Sequence, residues 1–338
     1  MTNPLPHLIG PHSLTRDETL ELLELARALK VDPIRTDLAG RAIGLLFFSP
    51  SLRTRSSMDI AAYQLGGHAL TLDVGVGTWK LEHREGVVME SDKAEHIKDA
   101  ARVLSRYVDA LAIRAFPTRK SWGEDRRDPI VSGFSRWAEV PVINLESALY
   151  HPCQGLADAL TMQERLGDLQ GQPITITWAY HPRAVPMAVP NSILLEACKH
   201  GMDVRFAHPK GWELDDEIMA RANQMVTHAG GKLTYYDEMA PALEGSKVIY
   251  AKSWGSIRNY RHPEVEDRMK EPLRQRWRVR MRDFDRTDDA FFMHYLPVRR
   301  GVIVDDEVLD SPRNAAYDEA ENRLHVQKAL LLKLLAGR

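Results

Sequence analysis

Arg41-Ala42-Ile43-Gly44-Leu45-Leu46-Phe47-Phe48-Ser49 is an apolar run closed by a serine, and Pro50-Ser51-Leu52-Arg53-Thr54-Arg55 follows it directly. A short apolar run bounded by turn residues suits a strand buried on both faces. From Thr54 to Leu65 the apolar residues recur at helical spacing, and Gly66-Gly67 stops them. A buried strand therefore runs straight into a helix. The backbone N–H groups and the dipole at such a helix start favour an anion. The Ser51 and Thr54 hydroxyls and the Arg53 and Arg55 guanidinium groups would add donors, the latter charge-assisted. Two readings stand: a phosphate cradle built without a glycine-rich loop, or a serine-capped helix followed by surface arginines.

Outward from this stretch the same alternation continues. His68 to Val74 reads as strand, Glu95 to Tyr107 as helix, Asp109 to Arg114 as strand and Pro141 to Asn144 as a further short strand. A helix from about His151 to Leu166 precedes strands at Pro173 to Ala179, Asp203 to Ala207, Lys247 to Ala251 and Ala290 to His294, with helical segments between them. Leucine-rich Glu321 to Leu335 closes the chain as an amphipathic helix. Strands separated by helices predict an α/β fold of doubly wound parallel sheets. With 338 residues the chain suits two domains, and the break is expected near Ala148 to His151. Ligands of such sheets sit beyond the carboxyl ends of the strands, so motifs that follow strands come first.

Composition narrows the classes. A net charge of −2 gives no reason to expect nucleic acid. Two cysteines, Cys153 and Cys198, argue against a disulfide framework and fit a reducing cytoplasm. Met1 to Gly10 reads as neither signal peptide nor membrane span, and no later apolar run reaches the roughly 18 residues that spanning needs. The templates G-x-G-x-x-G, G-x-x-x-x-G-K-[ST] and G-x-S-x-G do not occur in context, and the histidines and cysteines lack zinc spacing.

Five further motifs follow predicted strands or lie in loops. Arg114 ends a strand and is placed either to reach an oxyanion or to make an edge ion pair. His151-Pro152-Cys153-Gln154 opens a helix; its imidazole and amide suit a small polar group, and a capping histidine is the plainer reading. His294-Tyr295-Leu296-Pro297, followed by Arg299-Arg300, ends a strand whose backbone carbonyls suit an NH2 group; a proline-terminated strand is the alternative. Trp79-Lys80-Leu81-Glu82 lies in a glycine-bearing loop and reads either as a lid or subunit contact or as a tryptophan folded onto its own core. His181 to Pro190 is a proline-dense, stiff loop.

In this order the segments resemble the aspartate/ornithine transcarbamylase superfamily, whose members share S-x-R-T-R, an arginine after the third strand, H-P-x-Q and H-x-L-P. Within it the match is to the acylornithine branch, carried by Trp79-Lys80-Leu81-Glu82, Glu90 to His96, Asn144-Leu145-Glu146, Trp178 to Arg183 and Tyr250-Ala251-Lys252-Ser253-Trp254. Lys252-Ser253-Trp254-Gly255 stands where ornithine transcarbamylases carry S-M-G, which speaks against unmodified ornithine. The resemblance implies two α/β domains: residues 1–149 for carbamoyl phosphate, with 321–338 packing back on them, and 150–320 for the acylornithine. It also implies a knot at the proline-dense loop, a cytoplasmic homotrimer with shared sites, a role in arginine biosynthesis, and neither metal nor organic cofactor.

The same resemblance assigns residues. Ser51, Leu52, Arg53, Thr54, Arg323 and a neighbour's Trp79 hold carbamoyl phosphate. Thr54, Arg114 and His151 point donors at the carbamoyl oxygen, and Pro152 and Cys153, which follow His151, belong to the same carbamoyl-phosphate set. Gln154 and the carbonyls of Tyr295 and Leu296 take the carbamoyl nitrogen. Glu146, His181, Lys252, Arg299 and, from the neighbour, Ala94 face the acylornithine. Three departures bear on function. Tyr295 replaces the usual cysteine, so a noncatalytic paralogue that binds an anionic metabolite is the rival from another class. Ala94 stands where N-acetyl enzymes carry glutamate and N-succinyl enzymes proline. Ile303 stands where N-acetyl enzymes carry a lysine that can be carboxylated. The last two favour N-succinylornithine, with N-acetylornithine as the alternative.

Overall fold

The computed structural model describes residues 7–336. The expectations for the first six residues and for positions 337–338 lie outside them. The chain forms two compact units: the first holds the chain up to Thr118, Gly123–Cys153 and the chain from Arg323, and the second Arg119–Trp122 with Gln154–Asn322.

The first unit opens with α1 (Arg16–Val31), whose start is fixed by a capping box: the Thr15 hydroxyl accepts from the Glu18 N–H and the Glu18 carboxylate accepts from the Thr15 N–H. There follow β1 (Ala42–Phe47), α2 (Arg53–Gln64), β2 (His68–Asp73), β3 (Lys80–Glu82), β4 (Lys93–His96), α3 (Ile97–Leu104), β5 (Ala110–Arg114), α4 (Trp122–Asp125), α5 (Pro129–Trp137) and β6 (Val142–Glu146). The main sheet is parallel in the order β2-β1-β5-β6. Its order reverses beside β1, because β2 lies on one side and β5 on the other. Phe47 pairs with Arg114, and the Phe48 N–H donates to the Arg114 carbonyl at 2.9 Å, so the ends of β1 and β5 are neighbours. Leu46, Leu111, Ile113 and Val142 pack against Ile97 and Ala101 of α3 and Val131 and Phe134 of α5. Each large side chain removed from water this way stabilises the unit by about 1.5–3 kcal/mol.

The structure corrects one boundary here. Glu95 and His96, expected in a helix, belong to β4; extended His96 turns its Nδ1 onto the Lys98 N–H at 3.1 Å and caps α3, which starts at Ile97.

The second unit carries α6 (Pro152–Leu166) from Gln154 onward, then β7 (Pro173–Trp178), α7 (Ala188–Lys199), β8 (Asp203–Ala207), α8 (Asp216–His228), β9 (Lys232–Tyr236), α9 (Met239–Ala242), β10 (Val248–Lys252), α10 (Pro263–Lys270), β11 (Phe291–Met293), α11 (Asp306–Leu309) and the start of α12 (Ala316–Leu335). Its sheet is parallel, in the order β11-β10-β7-β8-β9, and reverses between β7 and β10. Lys252 pairs with Trp178 at that point. The proline-dense loop is tied there too, since the Gly255 N–H donates to the Val185 carbonyl at 3.0 Å. Beneath it Trp178, Trp212, Trp254 and Phe206 form a buried aromatic floor, with Trp178 Nε1 donating to the Trp254 carbonyl and Trp254 Nε1 to that of Trp212. Edge strand β9 was not expected from the sequence; its half-exposed Lys-Leu-Thr-Tyr-Tyr lacks the apolar run of a buried strand. The last helix starts at Ala316 rather than Glu321.

Candidate active site

Ser51 to Thr54, Arg114, Glu146, His151 to Gln154, Lys252 and Tyr295 fall at strand ends or at the helix starts after them, whereas Trp79 and Ala94 lie at a small two-stranded ribbon and Arg323 within α12. In the first unit, the Ser51 hydroxyl accepts from the Thr54 N–H at 3.1 Å, just before α2, whose N-cap is Leu52. Leu52 is exposed and Thr54 is buried. The Thr54 hydroxyl accepts from Arg114 Nη1 at 3.4 Å. Arg114 is buried and also donates to Glu146. His151 is fully buried, with Nε2 3.6 Å from the Glu146 carboxylate; Pro152 and Cys153 follow it into α6, both buried. Arg323, buried on α12, belongs to the same electrostatic group, since Glu146, Arg114 and Arg53 all act on it. Burial lowers Arg323 only to about 10, so it stays charged near neutrality. Burial, and then Arg323 and Arg114, push the His151 imidazole well below the usual histidine range, so it is neutral and offers one N–H. Arg114 and Arg323 thus lie beside Glu146, and Arg53 lies beside Arg323, a gathering of positive charge suited to an anion.

One expectation changes on placement. Arg55 does not join this group: it pairs with Asp73 and lies over the Phe47 ring, 4.6 Å from its centre. Glu146, expected beside the acylornithine, is buried in the first unit with its carboxylate on Arg114.

Trp79 and Ala94 lie on the β3–β4 ribbon. Trp79 is exposed, not folded onto its own core, and its Nε1 donates to Glu95 at 2.6 Å. Lys80 pairs with Lys93 and Leu81 with Glu95, so the register shift leaves Ala94 opposite no residue, exposed to solvent. The ribbon is held by buried Glu82, which accepts from the His83 and Arg84 N–H groups and pairs with Arg84 and Lys93.

In the second unit, Arg299 Nε donates to His181 Nε2 at 2.8 Å. A guanidinium only donates, so His181 Nε2 accepts; Nδ1 lies 2.7 Å from the Arg183 carbonyl and 3.0 Å from the Arg183 N–H. Burial, chiefly, lowers His181 to about 4. Lys252 is buried, donates to the Ser253 carbonyl at 2.6 Å and sits 5.2 Å from the centre of the Tyr295 ring. Tyr295 also stacks on His294, so its side chain has packing partners of its own while its backbone carbonyl and that of Leu296 stay independent of side-chain identity. Gln154 is buried on α6, and Ile303 is buried with its N–H on the Arg299 carbonyl. Two acids near Gln154, Asp158 and Glu319, escaped the sequence reading; the spacing of Asp158, one turn after Gln154, was the only signal available. Among the described residues no three His, Cys, Asp or Glu side chains gather to hold a metal, and no helix is long and apolar enough to cross a membrane.

Residues 6–164 match the carbamoyl-phosphate-binding domain of aspartate/ornithine carbamoyltransferases, and 184–334 match their aspartate/ornithine-binding domain. The chain belongs to the aspartate/ornithine carbamoyltransferase family. It is a carbamoyltransferase, and the rival reading as a noncatalytic binder falls away. The N-acetylornithine carbamoyltransferase of Xanthomonas campestris pv. campestris is 42% identical over 337 residues, 98% of each chain. The N-succinylornithine carbamoyltransferase of Bacteroides thetaiotaomicron is 35% identical over 297 residues, 88% of each chain. The crystal structure of an N-acetyl-L-ornithine transcarbamylase with a glutamate-to-alanine substitution, complexed with carbamyl phosphate and N-succinyl-L-norvaline, matches with a TM-score of 0.96 at 42% identity, over 98% of this chain and 100% of that one. This carbamoyltransferase thus has the superfamily's α/β fold of parallel sheets.

Proposed function

We propose that this carbamoyltransferase moves the carbamoyl group of carbamoyl phosphate onto the δ-amine of an N-acylated ornithine, with N-succinylornithine the favoured acceptor. The observation that carries the donor half is the gathering of Arg114 and Arg323 about Glu146 and a neutral His151, with Arg53 beside Arg323, at the first switch point. Ser51, Leu52, Arg53, Thr54 and Arg323 hold the phosphate, and Trp79 of a neighbouring subunit in a homotrimer closes over it. Thr54, Arg114 and His151 direct donors at the carbamoyl oxygen, where negative charge grows as the amine attacks; losing one such donor commonly costs about 3 kcal/mol. Gln154 and the carbonyls of Tyr295 and Leu296 accept from the carbamoyl nitrogen.

His181, Lys252 and Arg299 take the acylated ornithine. Glu146 becomes available to its amine once the donor substrate engages Arg114. The neutral δ-amine forms the new C–N bond, the C–O bond to phosphate breaks, and phosphate leaves with the proton that the amine sheds. Holding two small reactants in line supplies much of the acceleration.

The acyl preference rests on Ala94. It is exposed, uncharged and unpaired on the ribbon, so it sets no anion against a succinyl carboxylate. The structurally similar transcarbamylase with alanine in place of a glutamate was crystallised with a succinylated analogue, which supports this reading. N-acetylornithine is the second reading, favoured by the higher whole-chain identity to an N-acetyl enzyme, 42% against 35%. A panel of ornithine, N-acetylornithine, N-succinylornithine and aspartate with carbamoyl phosphate, scored for the ureido product, tests both halves. The highest kcat/KM is expected with N-succinylornithine. Turnover of plain ornithine or aspartate alone would overturn the acylated acceptor.

A further inference from the structure

Gln154 lies in the first turn of α6, and Asp158 follows one turn later on the same face. Gln154 Nε2 donates to Asp158 Oδ1 at 2.8 Å and to Glu319 Oε1 at 2.8 Å. Both amide hydrogens are therefore committed to carboxylates. With Nε2 turned to Asp158 and Glu319, the amide oxygen is turned away from both. What Gln154 presents to a ligand is its carbonyl oxygen, an acceptor.

The second oxygen of Glu319 is also used. Glu319 Oε2 accepts from the His294 N–H at 2.9 Å, at the first residue after β11 and directly before Tyr295 and Leu296. One buried carboxylate on α12 thus ties together the Gln154 amide and the start of the His294–Pro297 segment. Asp158 and Tyr250 complete the buried set. Burial, chiefly, raises Asp158 to about 7 and Tyr250 well above the usual range, with Asp158 and Glu319 adding to the effect on Tyr250. The cluster consequently retains protons near neutrality and can sit beneath the sheet edge without stacking up negative charge.

We infer that Glu319 is the positioning residue of the carbamoyl-nitrogen subsite: it sets the orientation of the Gln154 amide and the place of the Tyr295–Leu296 backbone, so that acceptors alone meet the ligand there. The inference rests on the reading of Gln154, Tyr295 and Leu296 as the groups that hold the carbamoyl nitrogen. Its consequence is selectivity for an NH2 over a CH3 at that position, because a methyl group cannot donate to the acceptors gathered there.

The test compares carbamoyl phosphate with acetyl phosphate, which carries CH3 in place of NH2. KM is measured for carbamoyl phosphate and Ki for acetyl phosphate as competitor. In Glu319→Gln a donor replaces an acceptor and the Gln154 amide loses its fixed orientation. The preference for carbamoyl over acetyl phosphate should fall about tenfold or more. KM for the acylated ornithine, and calorimetric affinity for inorganic phosphate, should stay within about twofold. An unchanged preference in the folded variant overturns the inference. Should Glu319→Gln fail to fold, Glu319→Asp keeps the charge and withdraws the carboxylate by one methylene; the same preference must fall, and an unchanged value again overturns the inference. A natural enzyme that shows no preference between the two phosphates would instead overturn the subsite reading beneath it.

Discussion

Ala94 is the residue on which the proposed acyl preference turns. Between Lys93 and Glu95 the ribbon register slips, and the small side chain is left pointing at solvent with no cross-strand partner. A glutamate there would put a carboxylate where a succinylated acceptor brings its own. Like charges about 4 Å apart cost about 1 kcal/mol in water and several times more in a partly buried site. Ala94→Glu should therefore depress kcat/KM for N-succinylornithine about tenfold or more, and for N-acetylornithine much less. Steady-state kinetics on both acceptors with both proteins decides it. A natural protein that already prefers N-acetylornithine by an order of magnitude would show the Ala94 reading to be wrong. Tyr295 is the opposite case: a side chain that looked disabling in the sequence is packed by Lys252 and His294, and the groups assigned to the ligand are backbone carbonyls.

At the scale of the element, the β3–β4 ribbon is two very short strands, which cannot be stable through their ladder alone. Glu82 supplies the missing constraint. Its hydrogen bond from Arg84 and its contact with Lys93 hold the carboxyl below the usual carboxylate range, so its stabilising effect is present above the unfolded value near 4.5 and is lost as pH falls below it. Glu82→Gln keeps the shape but removes the charge that Arg84 and Lys93 complement. Amide hydrogen exchange across residues 79–96 should quicken while exchange in the main sheet stays unchanged. KM for the acylated ornithine should rise several-fold, because the ribbon carries both Trp79 and Ala94. Equal exchange in both proteins would show that the ribbon is held by something else.

Across the whole molecule, two predictions concern long-range links. Lys328 of α12 is buried and donates to the Leu29 carbonyl of α1 at 2.9 Å, almost the full chain length away in sequence. Burial lowers its pKa from 10.5 to about 8. Between those values the unfolded chain binds more protons than the folded one, so this group makes stability rise with pH across that window. Lys328→Met should lack the rise, which denaturant unfolding of both proteins between the two values would measure as a difference in slope. Identical slopes would mean that Lys328 keeps its ordinary affinity for protons. The second prediction concerns assembly. If Trp79 serves a neighbour, neither Trp79→Ala nor Arg114→Ala subunits are active alone, yet mixed assemblies contain some sites with both residues intact. Co-refolding the two should restore measurable activity, and well-assembled hybrids without any recovery would remove the shared-site proposal.

The apolar run from Arg41 to Ser49, the glycine stops and the spacing of strands with helices were enough to determine two parallel, doubly wound sheets, because buried strands and amphipathic helices write their periods into the chain. Motif order determined the family and most of the residues now found at the two switch points. The pairings were beyond the sequence. That Arg55 turns to Asp73 and Phe47 while Arg114 meets Glu146 depends on which strands become neighbours, and strand order is a long-range property. The same holds for Glu319, 165 residues from Gln154: only folding brings its two oxygens to an amide hydrogen on α6 and a backbone N–H after β11, and only burial makes that pair of hydrogen bonds worth keeping.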